Sequence, residues 1–279
     1  MYCGKFFDTA LSKDYVLNVR YMAYQSYLTA PHLLNQLNNL NYPLDGKVVA
    51  DIGTGLGILP CLLKDKNTSK IIGIDLDKDF LKAARSINHA ENTGYVNADG
   101  RNIPIKNSVF DAVFVRYVFQ HINLSEIFIS EIKRVIKDGG LLVIVDIEDD
   151  MNIFYPDLPE SSKKLFGVYY EYQKLRGGDR SVSKKLPGFL LSQGFRDIKI
   201  KPYTFVFFNN EAKRADAEAL KKAFLLVQNE LELVKDALFY NKLITPVEFH
   251  KGLNEYFKFL NLKDDVLISK TEFLITCKK

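Results

Sequence analysis

The chain has 279 residues, 47% of them apolar and 26% charged, so a sizeable buried core is available and global disorder is excluded. The net charge of +4 is mild, and basic residues alternate with acids throughout, which argues against a nucleic-acid-binding stripe. Three cysteines (Cys3, Cys61 and Cys277) lie far apart without Cys-x-x-Cys spacing and predict neither a disulfide framework nor a zinc site. Met1–Lys5 lacks the apolar region of a signal peptide, and no apolar run approaches membrane-spanning length. A cytoplasmic protein without membrane or metal is expected.

In chain order, Lys13–Asn38 reads as helical, with an interruption at Pro31. Lys47–Ile52 is a strand and Ile58–Lys64 helical. Lys70–Asp75 is nearly all apolar, as a strand buried on both faces should be. Lys78–Asn92 carries a helical stripe (Phe80, Leu81, Ala84, Ile87) behind Asp77 as N-cap. Tyr95–Ala98 and Asp111–Val115 are strands, and Ser125–Ile136 is a helix broken by Gly139-Gly140 before a strand at Leu141–Val145. This βα alternation predicts a parallel sheet with right-handed crossovers.

The pattern changes beyond residue 148. Residues 149–183 read as a loop–helix–loop excursion, Lys184–Ser192 as a helix ending at Gly194, and Phe195–Lys201 as an alternating strand. Glu211–Phe239 is strongly helical. Val247–Leu260 is a second helix behind Thr245-Pro246, an N-cap and N1 pair, and Glu272–Cys277 is a closing strand. The division expected is an N-terminal helical cap over 1–45, a ligand-binding core over 46–148, and further strands with helical insertions (149–183 and 209–265) over 149–279.

The most informative stretch is Val48–Gly57, an apolar strand that ends in Asp51 and enters a glycine turn leading to a helix. That layout places a ligand-sized gap at a helix N-terminus. Glycines stand at 53, 55 and 57, whereas the dinucleotide fingerprint G-x-G-x-x-G needs one at 58, where Ile58 stands. The difference points away from NAD and toward S-adenosylmethionine. Asp75 ends the second strand, 24 positions after Asp51, where an acid can bind both ribose hydroxyls. Asp99 follows the third strand and can accept from an adenine amino group. A turn- or helix-capping role is the alternative for each acid.

These segments resemble the class I S-adenosylmethionine-dependent methyltransferases. Val48–Gly57 is similar to their first motif, Ile72–Asp77 to the second-strand acid, Asn97–Asp99 to the adenine-contacting acid and Phe110–Val113 to the fourth strand. Arg134–Leu142 is similar to their entry to strand five, with Asp138 where the family has proline. Arg116–His121 resembles a small-molecule subgroup in which a helix carrying Tyr15, Arg20 and Gln25 closes over the cofactor. The resemblance implies a Rossmann-like seven-stranded sheet of order 3-2-1-4-5-7-6, its last strand antiparallel, with helical cap insertions. It also implies S-adenosylmethionine bound by Tyr15, Gln25, Asp51, Gly53, Thr54, Gly55, Gly57, Asp75, Leu76, Asp99, Gly100 and Arg116.

Methyl transfer needs alignment in a dry site, and a general base where the nucleophile is a hydroxyl or enolisable carbon. His121, just after strand four, is the candidate base; packing against the following helix is the alternative. Dense aromatics (Tyr21, Tyr24, Tyr27, Phe154, Phe166, Tyr169, Tyr170) either enclose a planar substrate or only pack the added helices. The expected function is methylation of a small molecule at O, N or C, without a nucleic-acid partner and with homodimerisation left open. The competing readings are an RNA or protein methyltransferase, a non-catalytic S-adenosylmethionine-binding protein and, for the core alone, a dehydrogenase.

Overall fold

The computed structural model describes residues 17–63, 67–88, 90–122, 124–209, 214–261 and 266–279, the side chains of 209 and 214–220 excepted. Five parallel strands form its centre: Val48–Ile52 (β1), Lys70–Asp75 (β2), Thr93–Asn97 (β3), Phe110–Arg116 (β4) and Ile136–Ile147 (β5), in the order β3-β2-β1-β4-β5. Side chains alternate between the two faces of a strand, so β4 sends Ala112 and Phe114 into one apolar cluster and Val113 and Val115 into the other. Both faces are therefore covered, which explains the near-continuous apolar runs.

The covering helices include Ile58–Leu63 (α2), Lys78–Ile87 (α3) and Glu126–Val135 (α4). The Asp77 carboxylate caps α3 by accepting from the N–H groups of Asp79 and Phe80, and the Ser125 hydroxyl caps α4. Helix α3 ends before the expected Asn92, because Asn88 leaves helical geometry while its N–H still bonds back to Ala84. Gly139-Gly140 lies inside β5, not ahead of it, where the register with β4 shifts between Phe110 and Ala112.

The far side of the sheet is antiparallel. Val266–Lys278 (β8) pairs with β5 along one edge and with Arg196–Asn209 (β7) along the other, so the long strands follow the expected 3-2-1-4-5-7-6 pattern. A short strand missed in the sequence, Ile153–Tyr155 (β6), pairs with the part of β8 beyond β5. Strands β7 and β8 run well past the expected Phe195–Lys201 and Glu272–Cys277. Their outer halves, from Tyr203 opposite Glu272 to Asn209 opposite Val266, pair with each other beyond the central sheet.

Four further helices lie over the carboxyl ends of the strands and the β7–β8 extension: Leu17–Asn38 (α1), Glu160–Leu175 (α5), Arg214–Tyr240 (α7) and Pro246–Leu260 (α8), with Leu186–Ser192 (α6) on the sheet's flank. The expected interruption at Pro31 does not occur. Helix α1 runs through it, held by a buried stripe of Val19, Ala23, Leu33 and Leu37 against the core. Thr245 and Glu248 form a full capping box at the start of α8, with Pro246 at the first helical position. Leu165 and Tyr169 of α5, Leu231 and Leu238 of α7, and Phe249 and Leu253 of α8 share one apolar cluster.

Cys61 is disulfide-bonded, contrary to the expectation from cysteine spacing; Cys277 is a buried free thiol. No helix among the described residues is long and apolar enough to cross a membrane. No described group of His, Cys, Asp and Glu could hold a metal ion.

Candidate active site

The glycine turn is built to bring backbone close to its surroundings. Gly53, Gly55 and Gly57 have φ of 76°, 53° and 77°, a region that side chains with a Cβ strongly disfavour. A Cβ on Gly53 would stand 2.3 Å from Val118 Cγ2, and one on Gly57 would stand 2.5 Å from the Tyr95 hydroxyl. Asp51 is 2% exposed, and its carboxylate accepts from the Thr54 hydroxyl at 2.6 Å. Burial pushes its pKa up to about 6, opposed by that hydrogen bond and by the nearby Arg116 charge. A buried acid poised in this way gains from a cationic partner.

Asp75 accepts from the N–H of Gly55 at 2.7 Å and of Asp77 at 2.9 Å, which ties the ends of β1 and β2 together. A carboxylate offers about four lone-pair sites, so acceptor capacity remains for hydroxyl groups. Burial raises its pKa, with these N–H groups opposing.

Asp51, Gly53, Thr54, Asp75 and Arg116 line one cleft of about 310 Å³ with Asn18, Tyr21, Met22, Gln25, Ser26 and Thr29 of α1. Tyr117, Val118 and His121 close it from the end of β4. Arg116 is 8% exposed and its Nε has no partner, an unspent donor at the wall. Tyr117 adopts a left-handed φ of 55°, and its hydroxyl donates to Glu272. Glu272 also accepts from Gln36 Nε2 at 2.5 Å. Burial raises the pKa of both Tyr117 and Glu272. His121 sits at the rim, reachable by solvent. Desolvation by its neighbours lowers its pKa against the pull of Glu230, so the imidazole is neutral near pH 7 and able to take a proton.

Tyr21, Gln25, Thr29 and Tyr117 also line a second chamber of about 190 Å³. That chamber continues past Asp149, Arg180, Glu230 and Lys270 into a third of about 290 Å³, walled by Phe154, Phe166, Tyr170 and Tyr256. Arg180 bonds Asp149 at 2.5 Å and reaches Glu230 at 3.5 Å. Glu230 also accepts from Tyr169 at 2.5 Å and from Tyr21 at 3.4 Å. Burial would raise the pKa of Asp149, but Arg180 and Lys270 outweigh it and hold the carboxyl below its usual range.

Residues 50–144, which run from β1 into β5, match the family described as a methyltransferase domain. The chain carries a methyltransferase domain over these residues. It is 29% identical over 135 residues to the ribosomal protein L11 methyltransferase of Dictyoglomus turgidum, covering 46% of this chain and 42% of that protein. It is 30% identical over 139 residues to an O-methyltransferase of Pyrenophora dematioidea, covering 48% and 52%. The chain thus spans about half the length of these relatives. In fold it is similar to phosphoethanolamine N-methyltransferase 2 of Haemonchus contortus, solved with S-adenosyl-L-methionine. The TM-score is 0.56 at 18% identity, covering 98% of this chain and 60% of that one.

The expected site residues that the structure describes divide into three groups. Gln25, Asp51, Gly53, Thr54, Asp75, Arg116 and His121 all line the one cleft. Gly55 and Gly57 shape the turn behind it. Leu76, Asp99 and Gly100 are not in its wall: Leu76 is 67% exposed, Asp99 is engaged by Arg101 at 2.6 Å, and Gly100 leaves room for Phe128, 2.4 Å from where a Cβ would be. Tyr15 lies outside the described residues. Sequence reasoning did not single out Glu230, Lys270 and Glu272, which line the second chamber. A signal existed for each, since Glu230 interrupts the apolar stripe of Val227, Leu231 and Val234, and Lys270 and Glu272 share a strand face with Ile268 and Leu274.

Proposed function

We propose that this chain is an S-adenosylmethionine-dependent methyltransferase that acts on a small organic acceptor held beneath α1, α5, α7 and α8. The observation that carries this reading is the wall of Tyr21, Gln25, Thr29 and Tyr117, common to the cofactor cleft and to an aromatic chamber of about 190 Å³. A donor in the first space and an acceptor in the second would meet at that wall, shielded from water.

The residues suit the cofactor. The glycine turn allows close backbone approach, Asp75 keeps acceptor sites for ribose hydroxyls, Asp51 favours the methionine ammonium, and the free Nε of Arg116 favours the carboxylate. Bound there, S-adenosylmethionine supplies an electrophilic methyl carbon. The chain's own work is to orient the acceptor, exclude water and remove a proton where the nucleophile needs it. His121, neutral near pH 7, is the base in this reading. The helices over the chamber act as its cap, and their aromatic lining favours a planar or apolar acceptor over a macromolecular loop.

The test is transfer of labelled methyl from S-adenosylmethionine into separated fractions of a cell extract. Label in the small-molecule fraction, lost in His121→Ala, supports the reading. Label only in ribosomal or protein fractions would instead support a macromolecular acceptor.

A further inference from the structure

Lys270 is the one described cation in the chamber walls whose donors are not matched. It stands on β8 opposite Phe205, lines both the second and the third chamber, and holds its ammonium 5.2 Å over the Phe154 ring. An ammonium has three N–H donors, and among the described residues none of those of Lys270 meets a carboxylate or carbonyl. The neighbouring acids are already satisfied. Asp149 accepts from Arg180 and Asn152, and Glu230 from Tyr169 and Tyr21. Burial lowers the Lys270 pKa despite the pull of Asp149, so the position is costly as it stands. An apolar side chain of similar length would pack there at lower cost.

Resting on the methyltransferase reading above, we propose that Lys270 binds a carboxylate of the methyl acceptor, so that the substrate class is an aromatic or other planar monocarboxylic acid. The acid's oxygens take the unmatched N–H donors in a charge-assisted bond. Its body lies along Phe154, Phe166, Tyr170 and Tyr256, whose rings offer stacking faces. Its far end extends through the second chamber toward Tyr117 and Gln25, where the cofactor cleft begins. Charge favours a carboxylate over a phosphate, because Asp149 and Glu230 share these walls and a dianion would set one more negative charge beside them than a carboxylate does.

The test is calorimetric titration at saturating S-adenosylhomocysteine with matched probes: 4-hydroxybenzoate, cinnamate and indole-3-acetate, their primary amides, and phenyl phosphate. In the native protein at least one acid should bind about tenfold or more tighter than its amide. Lys270→Met should erase that preference while leaving S-adenosylhomocysteine affinity unchanged, and Lys270→Arg should retain most of it. Failure of every acid to bind, equal affinity of acids and amides, persistence of the preference in Lys270→Met, or tighter binding of phenyl phosphate would each overturn the proposal. If Lys270→Met does not fold, the acid–amide comparison in the native protein decides. Failure of S-adenosylhomocysteine itself to bind would count against the methyltransferase reading and is scored separately.

Discussion

Replacing Gly53 by alanine introduces two costs that the structure separates. The first is backbone strain: φ is 76°, and a residue with a Cβ in that region costs about 1–2 kcal/mol. The second is steric, because the new Cβ would stand 2.3 Å from Val118 Cγ2, and overpacking of this kind costs about 1–3 kcal/mol. Gly139 is an internal control. Its φ is 73° and nothing lies within 4 Å of a Cβ there, so Gly139→Ala carries strain alone, about 1–2 kcal/mol. Urea denaturation should place Gly53→Ala at about 2–5 kcal/mol below the native protein, clearly beyond Gly139→Ala. Adding Val118→Ala to Gly53→Ala should recover part of the difference, with a favourable coupling of about 1 kcal/mol or more. Equal destabilisation by the two glycine variants, or no coupling with Val118, would refute the close-approach argument for the turn.

Three other predictions concern ligand and proton. Asp75→Ala should weaken S-adenosylhomocysteine binding by roughly 1–3 kcal/mol, the cost of unmatched hydroxyl partners; an unchanged dissociation constant in calorimetry would remove Asp75 from the ribose role. His121→Ala should lower turnover far more than cofactor affinity in a labelled-methyl assay, and equal losses would mark His121 as structural. Asp51 has a native pKa of about 6, above its ordinary 3.8. A raised acid favours folding while it is protonated, below pH 3.8, and loses that contribution as pH rises through 6. Asp51→Asn should therefore gain stability relative to the native protein between pH 4 and 7.5 by up to about 3 kcal/mol; a pH-independent difference in denaturation midpoints would contradict the assigned burial.

The parallel half of the fold was legible because each of its signals is local. Apolar runs at β1 and β2, Asp77 as a cap, and the glycine turn all act within a few residues of themselves. The same holds for Thr245-Pro246 at α8. The long β7–β8 extension was not legible, because its outer halves are stabilised mainly by each other and by helices far away in sequence. Pro31 read as a break for a related reason: local propensity argued for interruption, and packing of α1 on the core overrides it. The strand-end logic singled out Asp51, Asp75, His121 and Asp99; the first three line one cleft, and Asp99 lies outside that wall, paired with Arg101. Lys270 and Glu272 carried a sequence signal as charges on an apolar strand face, but the chamber they line is set by the pairing of β8.

The most direct test is calorimetric titration of the native chain with S-adenosylhomocysteine in the presence and absence of NAD. The account predicts saturable binding at one site per chain, weakened in Asp75→Ala and indifferent to NAD. Absence of binding heat, or displacement by NAD, would contradict it.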